Sequence, residues 1–179
     1  RGGNFYVDGG HVFANTLGDK DSRGGIDIKT LKGVSLCEEA ILSSANYGAG
    51  NAGNITIETK GFSAFGSGVF AQTSGKGNAG NIKITGENLS LKDGAQIGSS
   101  TLQKATGNSG KIEINMSGDV LLEGSKDGRY PSGVLCDTRG SGDGGSIQID
   151  AENLFLRNGG GIFARVYSGA IGQGGIIAV

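Results

Sequence analysis

The feature that most constrains this chain is a pattern that recurs along it at a spacing of about 30 residues. One part of the pattern is an alternating isoleucine triplet: Ile26-Asp27-Ile28, Ile55-Thr56-Ile57, Ile82-Lys83-Ile84, Ile112-Glu113-Ile114, Ile147-Gln148-Ile149 and finally Ile177-Ala178-Val179. A second apolar alternation stands about seven residues later, at 5–7, 34–36, 62–65, 89–91, 120–122 and 154–156. A third begins at Val12, Ile41, Val69, Ile97, Val134 and Ile162. The first and third series report the same period independently, and a fixed period of roughly 20–50 residues is the mark of a stacked array.

Within each slot apolar and variable residues alternate, so each is a short strand with one face inward. The connecting residues offer no return partner for hairpins, whereas winding lays every strand beside its copy in the next coil. The pattern therefore predicts an all-β, right-handed parallel β-helix of about six turns, each of three short strands. The coil itself supplies the crossover that parallel pairing needs, and the crossover rule sets the hand. A left-handed hexapeptide solenoid would beat every six residues, and the unequal spacings here do not. Six turns at the strand spacing of ~4.8 Å make a rod about 29 Å long. Residues 1–179 are read as a single solenoid domain, with 125–131 as a protruding loop insertion.

Glycine supplies 37 of the 179 residues and proline only one, against an ordinary glycine usage of about 7%. Near copies such as Gly50-Asn51-Ala52-Gly53-Asn54, Gly77-Asn78-Ala79-Gly80-Asn81 and Gly107-Asn108-Ser109-Gly110-Lys111 precede the isoleucine triplets. Gly and Asn both tolerate positive φ, so sharp corners of that conformation are expected there. Counting back from the following Ile, one corner position reads Ser22, Asn51, Asn78, Asn108, Asp143 and Gln173, a polar ladder expected to hydrogen-bond along the stack and to be structural. In the third strand, Ala14, Ser43, Ala71, Ser99, Cys136 and Ala164 share a small inward slot. Cys136 is thereby a buried hydrophobe. Cys37, beside Glu38 and Glu39, lacks the positive surroundings that activate a thiol.

Sixteen Lys+Arg against 17 Asp+Glu give a net charge of -1, without the basic footprint of a nucleic-acid binder. Apolar runs fall far short of the ~20 residues needed to cross a bilayer, so membrane insertion is not expected. Outward positions on the first two strands mix signs, as a solvated sheet face does. The sole histidine, His11, adjoins an inward Val12 and is placed in solvent, so neither a His-based triad nor a zinc site can be assembled. No catalytic residue, cofactor or metal is expected, and enzyme is not the expected class. Asp137 and Arg165 are expected to form a surface salt bridge.

Two features stand out from the architecture. The first outward position of the third strand is read as Phe13, Leu42, Phe70, Gly98, Leu135 and Phe163, an apolar stripe that is either an interface or covered by the long third connection, with Tyr47 as cover. The coil between Val120 and Val134 is longer than its peers and contains Lys126-Asp127-Gly128-Arg129-Tyr130-Pro131. Insertions in repeats map to loops that contact partners, which makes Arg129 and Tyr130 candidate recognition residues; a functionless insertion is the alternative.

The phrase Ala79-Gly80-Asn81-Ile82-Lys83-Ile84, followed by Leu89-Ser90-Leu91-Lys92-Asp93-Gly94-Ala95-Gln96-Ile97-Gly98-Ser99-Ser100-Thr101, resembles the repeats of filamentous-haemagglutinin-like bacterial exoproteins exported by two-partner secretion. The likeness runs through all six turns and is loosest at the ends and at 125–131. It implies a secreted or cell-surface β-helix shaft with adhesive or matrix roles. The secretion domain's Asn-Pro motifs have no counterpart, since the one proline is Pro131, so transport competence is not carried over, nor are catalytic residues. The expected partners are further copies of the chain, end to end or laterally, or a host or matrix surface ligand. The chain starts in a second-strand slot and stops in a first-strand slot, so a segment of a longer solenoid or a stacking unit is expected. The alternative class is a polysaccharide-binding or polysaccharide-cleaving β-helix protein, to be favoured if a groove with Arg and carboxylates lies beside the long coil.

Overall fold

The computed structural model describes residues 2–22 and 24–179. They form a parallel β-solenoid without a helix. The first face is built from Ile55–Glu58, Ile82–Gly86, Ile112–Met116, Ser146–Asp150 and Ile176–Ala178. The second carries Gly2–Asp8, Gly61–Phe65, Asn88–Lys92, Asp119–Glu123 and Asn153–Arg157. Ile26–Cys37 runs unbroken round the bend between these faces and joins them into one 11-stranded sheet. The third face is a separate six-stranded sheet from His11–Phe13 to Gly161–Phe163. Beyond its strands, single bridges Thr16–Asn46–Thr73–Thr101–Thr138–Val166 carry the ladder onward.

Stacking in register makes like sit on like. Ile55, Ile82 and Ile112 form one inward column and Ile57, Ile84 and Ile114 the next, all fully buried. Removing each such side chain from water contributes roughly 1.5–3 kcal/mol. The columns surface at the last coil, where Ile177 is 44% and Val179 76% exposed.

The third-face register differs from the expectation at one coil. Leu42 pairs with Val12 and Val69 and is fully buried, so it belongs to the core column and not to the outward stripe. Ser43 stands in the stripe between Phe13 and Phe70, and Ser44 takes the small inward slot. The reason lies in the bend before it. Five residue steps separate the inward positions Val7 and Val12, or Ala64 and Val69, and each bend turns on one positive-φ glycine, Gly9 or Gly66. Six steps separate Leu36 from Leu42 and Leu91 from Ile97, where two consecutive residues, Glu38 and Glu39 or Asp93 and Gly94, adopt positive φ. Two side-chain-bearing glutamates gave no glycine signal for the longer bend.

The glycines before the isoleucine triplets also need a different explanation from the one expected. Gly53, Gly80, Gly107 and Gly110 do not adopt positive φ, and Asn158 is the one asparagine among the described residues that does. Here backbone crosses directly over backbone. A Cβ on Gly80 would overlap the carbonyl oxygen of Gly53, and one on Gly110 that of Gly80. Close approach, not chain conformation, demands glycine at this corner.

The polar ladder forms, with side chains bonding to backbone. Asn51 Oδ1 accepts the amide of Asn78 at 2.8 Å, Asn78 Oδ1 that of Asn108 at 2.9 Å, Asn108 Oδ1 that of Asp143 at 2.8 Å and Asp143 Oδ1 that of Gln173 at 2.8 Å. Asp21, rather than Ser22, opens the ladder by accepting the Asn51 amide, because the first coil has one more residue between the ladder and the isoleucine than its successors. Asn54 and Asn81 begin a parallel ladder that ends at the Lys111 amide.

Candidate functional site

Segment 125–131 is a β-hairpin in which Ser125–Lys126 pairs antiparallel with Tyr130–Pro131. Asp127 and Gly128 take positive φ at its tip, the geometry an Asp-Gly turn favours. The hairpin does not project freely; it lies against the second bend of the preceding coils. Lys126 and Tyr130 pass so close over Gly94 that a Cβ there would strike them. Ser132 Oγ accepts the Gly94 amide at 2.9 Å, and Gln96 Nε2 donates to the Pro131 carbonyl at 3.1 Å. Lys126 Nζ reaches Glu39 Oε1 at 2.5 Å, 87 residues away in sequence. That hydrogen bond holds the Glu39 carboxyl below its ordinary pKa and raises the Lys126 ammonium above its own.

Folding the hairpin down turns its outer edge into a wall. Between it and the third face runs a groove of about 330 Å³, to which the hairpin contributes Arg129, Tyr130 and Pro131. Phe70 and Leu135 of the apolar stripe lie on the floor, Gln72 and Asp137 in the next outward column, and Arg139 and Tyr167 opposite the hairpin. Asp137 is only 4% exposed. It accepts Arg165 Nη2 at 2.6 Å and Nε at 3.1 Å, the Arg165 amide at 3.3 Å and the Tyr167 hydroxyl at 3.3 Å. The pair expected as a surface salt bridge is therefore a carboxylate sunk beneath a bidentate guanidinium, a stronger arrangement than an exposed pair. The hydrogen bond to Asp137 raises the Arg165 pKa further above its ordinary value.

Two of the arginines of the groove stack on aromatic rings. The Arg165 guanidinium carbon lies 4.6 Å from the Phe163 ring centre, and that of Arg139 lies 4.3 Å from the Tyr167 ring centre. Such contacts fix the planes of the guanidinium groups; the edge of Arg165 is spent on Asp137, and that of Arg139 is left to donate. Among the described residues, neither Arg129 nor Arg139 has a carboxylate within ion-pair distance. The groove thus concentrates positive charge in a chain whose net charge is -1.

The candidate interface residues separate into distinct settings. Phe13 is 58% exposed and stacks on His11, with ring centres 5.5 Å apart. The Phe70 ring lies over Gly68 and Gly98, and the Phe163 ring over Gly161 and Gly133. Leu135 is buried and Leu42 belongs to the core. Phe70 and Phe163 are half-buried by packing their rings on glycines while Phe13 stays exposed, and Tyr47, the expected cover, is itself exposed. Asn51, Asn78, Asn108 and Asp143 point their side-chain oxygens at backbone amides of the next coil and stand apart from the groove.

A broader trough of about 1000 Å³ crosses the second face, with Tyr6 and Phe155 toward its two ends and Ser35, Ser63 and Ser90 between them. Ser63 Oγ donates to Ser35 Oγ at 3.1 Å. The trough brings few charged groups together, so the convergent chemistry lies in the smaller groove. Among the described residues no group of three or more His, Cys, Asp and Glu side chains is placed to hold a metal ion. Cys136 is buried and its thiol is pushed up to about 12 by that burial.

Sequence reasoning found the hairpin side of the groove and paired Asp137 with Arg165 but missed Arg139 and Tyr167. The available signal was positional. Leu17, Tyr47, Ser74, Leu102, Arg139 and Tyr167 succeed one another in the column after the Thr bridges, and a charged and an aromatic residue enter it together at the last two coils. Compared with protein-family models, curated proteins and solved structures, the chain matches none.

Proposed function

We propose that this chain is a structural and adhesive β-solenoid of a secreted or cell-surface bacterial protein, a rod-like shaft that carries a contact surface on its third face. The observation that carries this reading is the coil-to-coil bonding of the stack. Backbone ladders, the Asn51–Asn78–Asn108–Asp143 side chains and the isoleucine columns all tie each coil to the next. Stability of such a stack is a sum of nearest-neighbour terms, so it extends into a rigid rod while its outer faces stay free to vary. The likeness of its repeats to filamentous-haemagglutinin-like exoproteins supports a location outside the cell. Partners on this reading are other copies of the chain, or a host or matrix ligand.

The Arg-lined groove favours a polysaccharide-binding role within this reading over a polysaccharide-hydrolysing one. Glycoside hydrolysis ordinarily uses a pair of carboxyl groups, whereas Asp137, the one carboxylate that lines the groove among the described residues, is already committed to Arg165 and Tyr167. The test is immunogold labelling of intact cells of the source bacterium with an antibody raised against this chain. The reading expects label on rods at or beyond the surface. Label that appears only after the cells are permeabilised would overturn it.

A further inference from the structure

We infer that the groove beneath the hairpin binds an acidic saccharide, a pyranose carrying a carboxylate or sulfate, at the edges of Arg129 and Arg139. The inference rests on the adhesive-rod reading for its biological setting and on the groove alone for its chemistry. Among the described residues three arginines and one carboxylate line the cavity, and that carboxylate is spent on Arg165. Arg129 and Arg139 remain, one on each wall, without a carboxylate partner among the described residues. Guanidinium groups bind planar oxyanions through paired N–H donors. An anion between the two walls would complete an arrangement that the protein leaves half built.

The other lining groups indicate what bears the anion. Tyr130, 61% exposed, offers a ring face, while Gln72 offers an amide and Gln96 its amide oxygen. Aromatic faces against C–H surfaces, with a few placed polar groups, suit a sugar ring, and the volume lies at the lower end of the ~300–1,000 Å³ typical of small-molecule sites. An acidic peptide suits the groove less well. The strands that carry Phe70, Gly98 and Leu135 are paired on both sides with neighbouring coils, so the floor provides no free strand edge for a peptide to join. A nucleic acid would ask for a longer basic track to follow its phosphates, and the chain as a whole is weakly acidic.

The test is calorimetric titration of the whole chain with five probes. These are tetragalacturonate for the carboxylate source, a sulfated galactan tetrasaccharide for the sulfate source, neutral maltotetraose, tetraglutamate and a short single-stranded oligonucleotide. Binding of either acidic saccharide, with maltotetraose, tetraglutamate and the oligonucleotide silent or much weaker, is the expected result. Removing one charged hydrogen-bonding partner costs about 1.5–3 kcal/mol, so Arg129→Ala and Arg139→Ala should each weaken binding roughly ten- to a hundredfold. Tyr130→Ala should weaken it and Tyr130→Phe restore most of it. Arg157→Ala, on the second face, should leave it unchanged. All these side chains are at least partly exposed, so the melting temperature serves as the control that each variant is folded. The inference is overturned if neither acidic saccharide binds, if tetraglutamate or the oligonucleotide binds as well, or if the groove substitutions change affinity no more than Arg157→Ala. Failure here leaves surface labelling by antibody untouched, and an intracellular label would leave saccharide binding untouched, so the two readings fail separately.

Discussion

The bend that leads into the first face and the bend that leads into the third differ in how tightly neighbouring coils constrain them. At the first, successive coils use nearly the same residues: glycine where a Cβ would overlap the coil beside it, and Asn or Asp where an amide must be met. At the other, the chain turns in five steps on one glycine, in six on two positive-φ residues, or carries a hairpin. The first bend is packed backbone on backbone, so a change in one coil would have to be matched in the next. The second is less crowded in several coils, where a Cβ on Gly9, Gly66 or Gly124 would meet nothing closer than 3.6 Å, and there the fifth coil spends extra residues on a groove wall. Periodicity in this chain records constraint from adjacent coils, and its interruption marks where residues are available for contact with something else.

The sharpest way to break that comparison is to add a side chain to one glycine in each bend. Gly80→Val should destabilise the rod by about 3–5 kcal/mol, the range of severe core disruption, because the added side chain meets the Gly53 backbone in mid-stack. Gly128→Ala at the hairpin tip has open space around it but a φ of +68, and should cost about 1 kcal/mol. Chemical denaturation of the two variants reads the difference. A Gly80→Val variant as stable as the parent would mean that the coils slide apart easily, and the argument from close approach would fail.

Next in size is the core. Ile84→Ala removes a fully buried side chain from a column flanked by Ile57 and Ile114 and should cost about 2–5 kcal/mol, toward the middle of that range. The same denaturation experiment on Ile177→Ala, where the column is 44% exposed, should show a small fraction of that loss. Equal losses would show that burial in the stack does not set the contribution of a column position.

Much of this division could be read from the residues themselves. The isoleucine triplets fixed the first face without error, since every member of the column is the same residue and the pairing Ile26–Ile55–Ile82–Ile112–Ile147–Ile177 follows directly. The third-face register slipped at Ile41 and Leu42, two adjacent large residues either of which fits an inward slot; the arbiter was the pair of positive-φ glutamates, which no sequence rule signals. Arg129 and Tyr130 were visible because they lie in an insertion. Arg139 and Tyr167 were not, because their sharing a groove with the hairpin depends on which way it folds, and that is decided by Gly94, Ser132 and a lysine paired across 87 residues.

The corner ladder gives a smaller effect. Asn78→Ala deprives the Asn108 amide of its acceptor at an exposed corner, where water can replace it, and should cost about 1 kcal/mol. Asn78→Asp keeps an oxygen in place, as Asp143 does one step along the same ladder, and should recover most of that loss in the same denaturation series. If both substitutions were equally harmful, the column would depend on the amide nitrogen of Asn78, and the ladder as described would be wrong.

The smallest effect tests the hairpin rather than the rod. Glu39 and Lys126 are exposed, so their ion pair contributes little to global stability, yet it is the contact that reaches furthest down the stack from the hairpin. The folded pKa of Glu39 is depressed, so its contribution is present at neutral pH and is lost as pH falls through that depressed value. The folded pKa of Lys126 is raised, so its contribution persists through mildly alkaline pH and is lost only as pH rises through that raised value. Between these limits the Arg129 amide, bonded to the Lys126 carbonyl, should exchange with solvent more slowly than in Glu39→Gln. Below them the two proteins should converge once intrinsic exchange rates are normalised. Isoleucine amides such as Ile84 should show no difference at any pH, because the coils hold their ladders without help from the hairpin. A Glu39→Gln substitution that loosened Ile84 as much as Arg129 would erase the distinction between the two bends, since the hairpin would then be part of what holds the stack together.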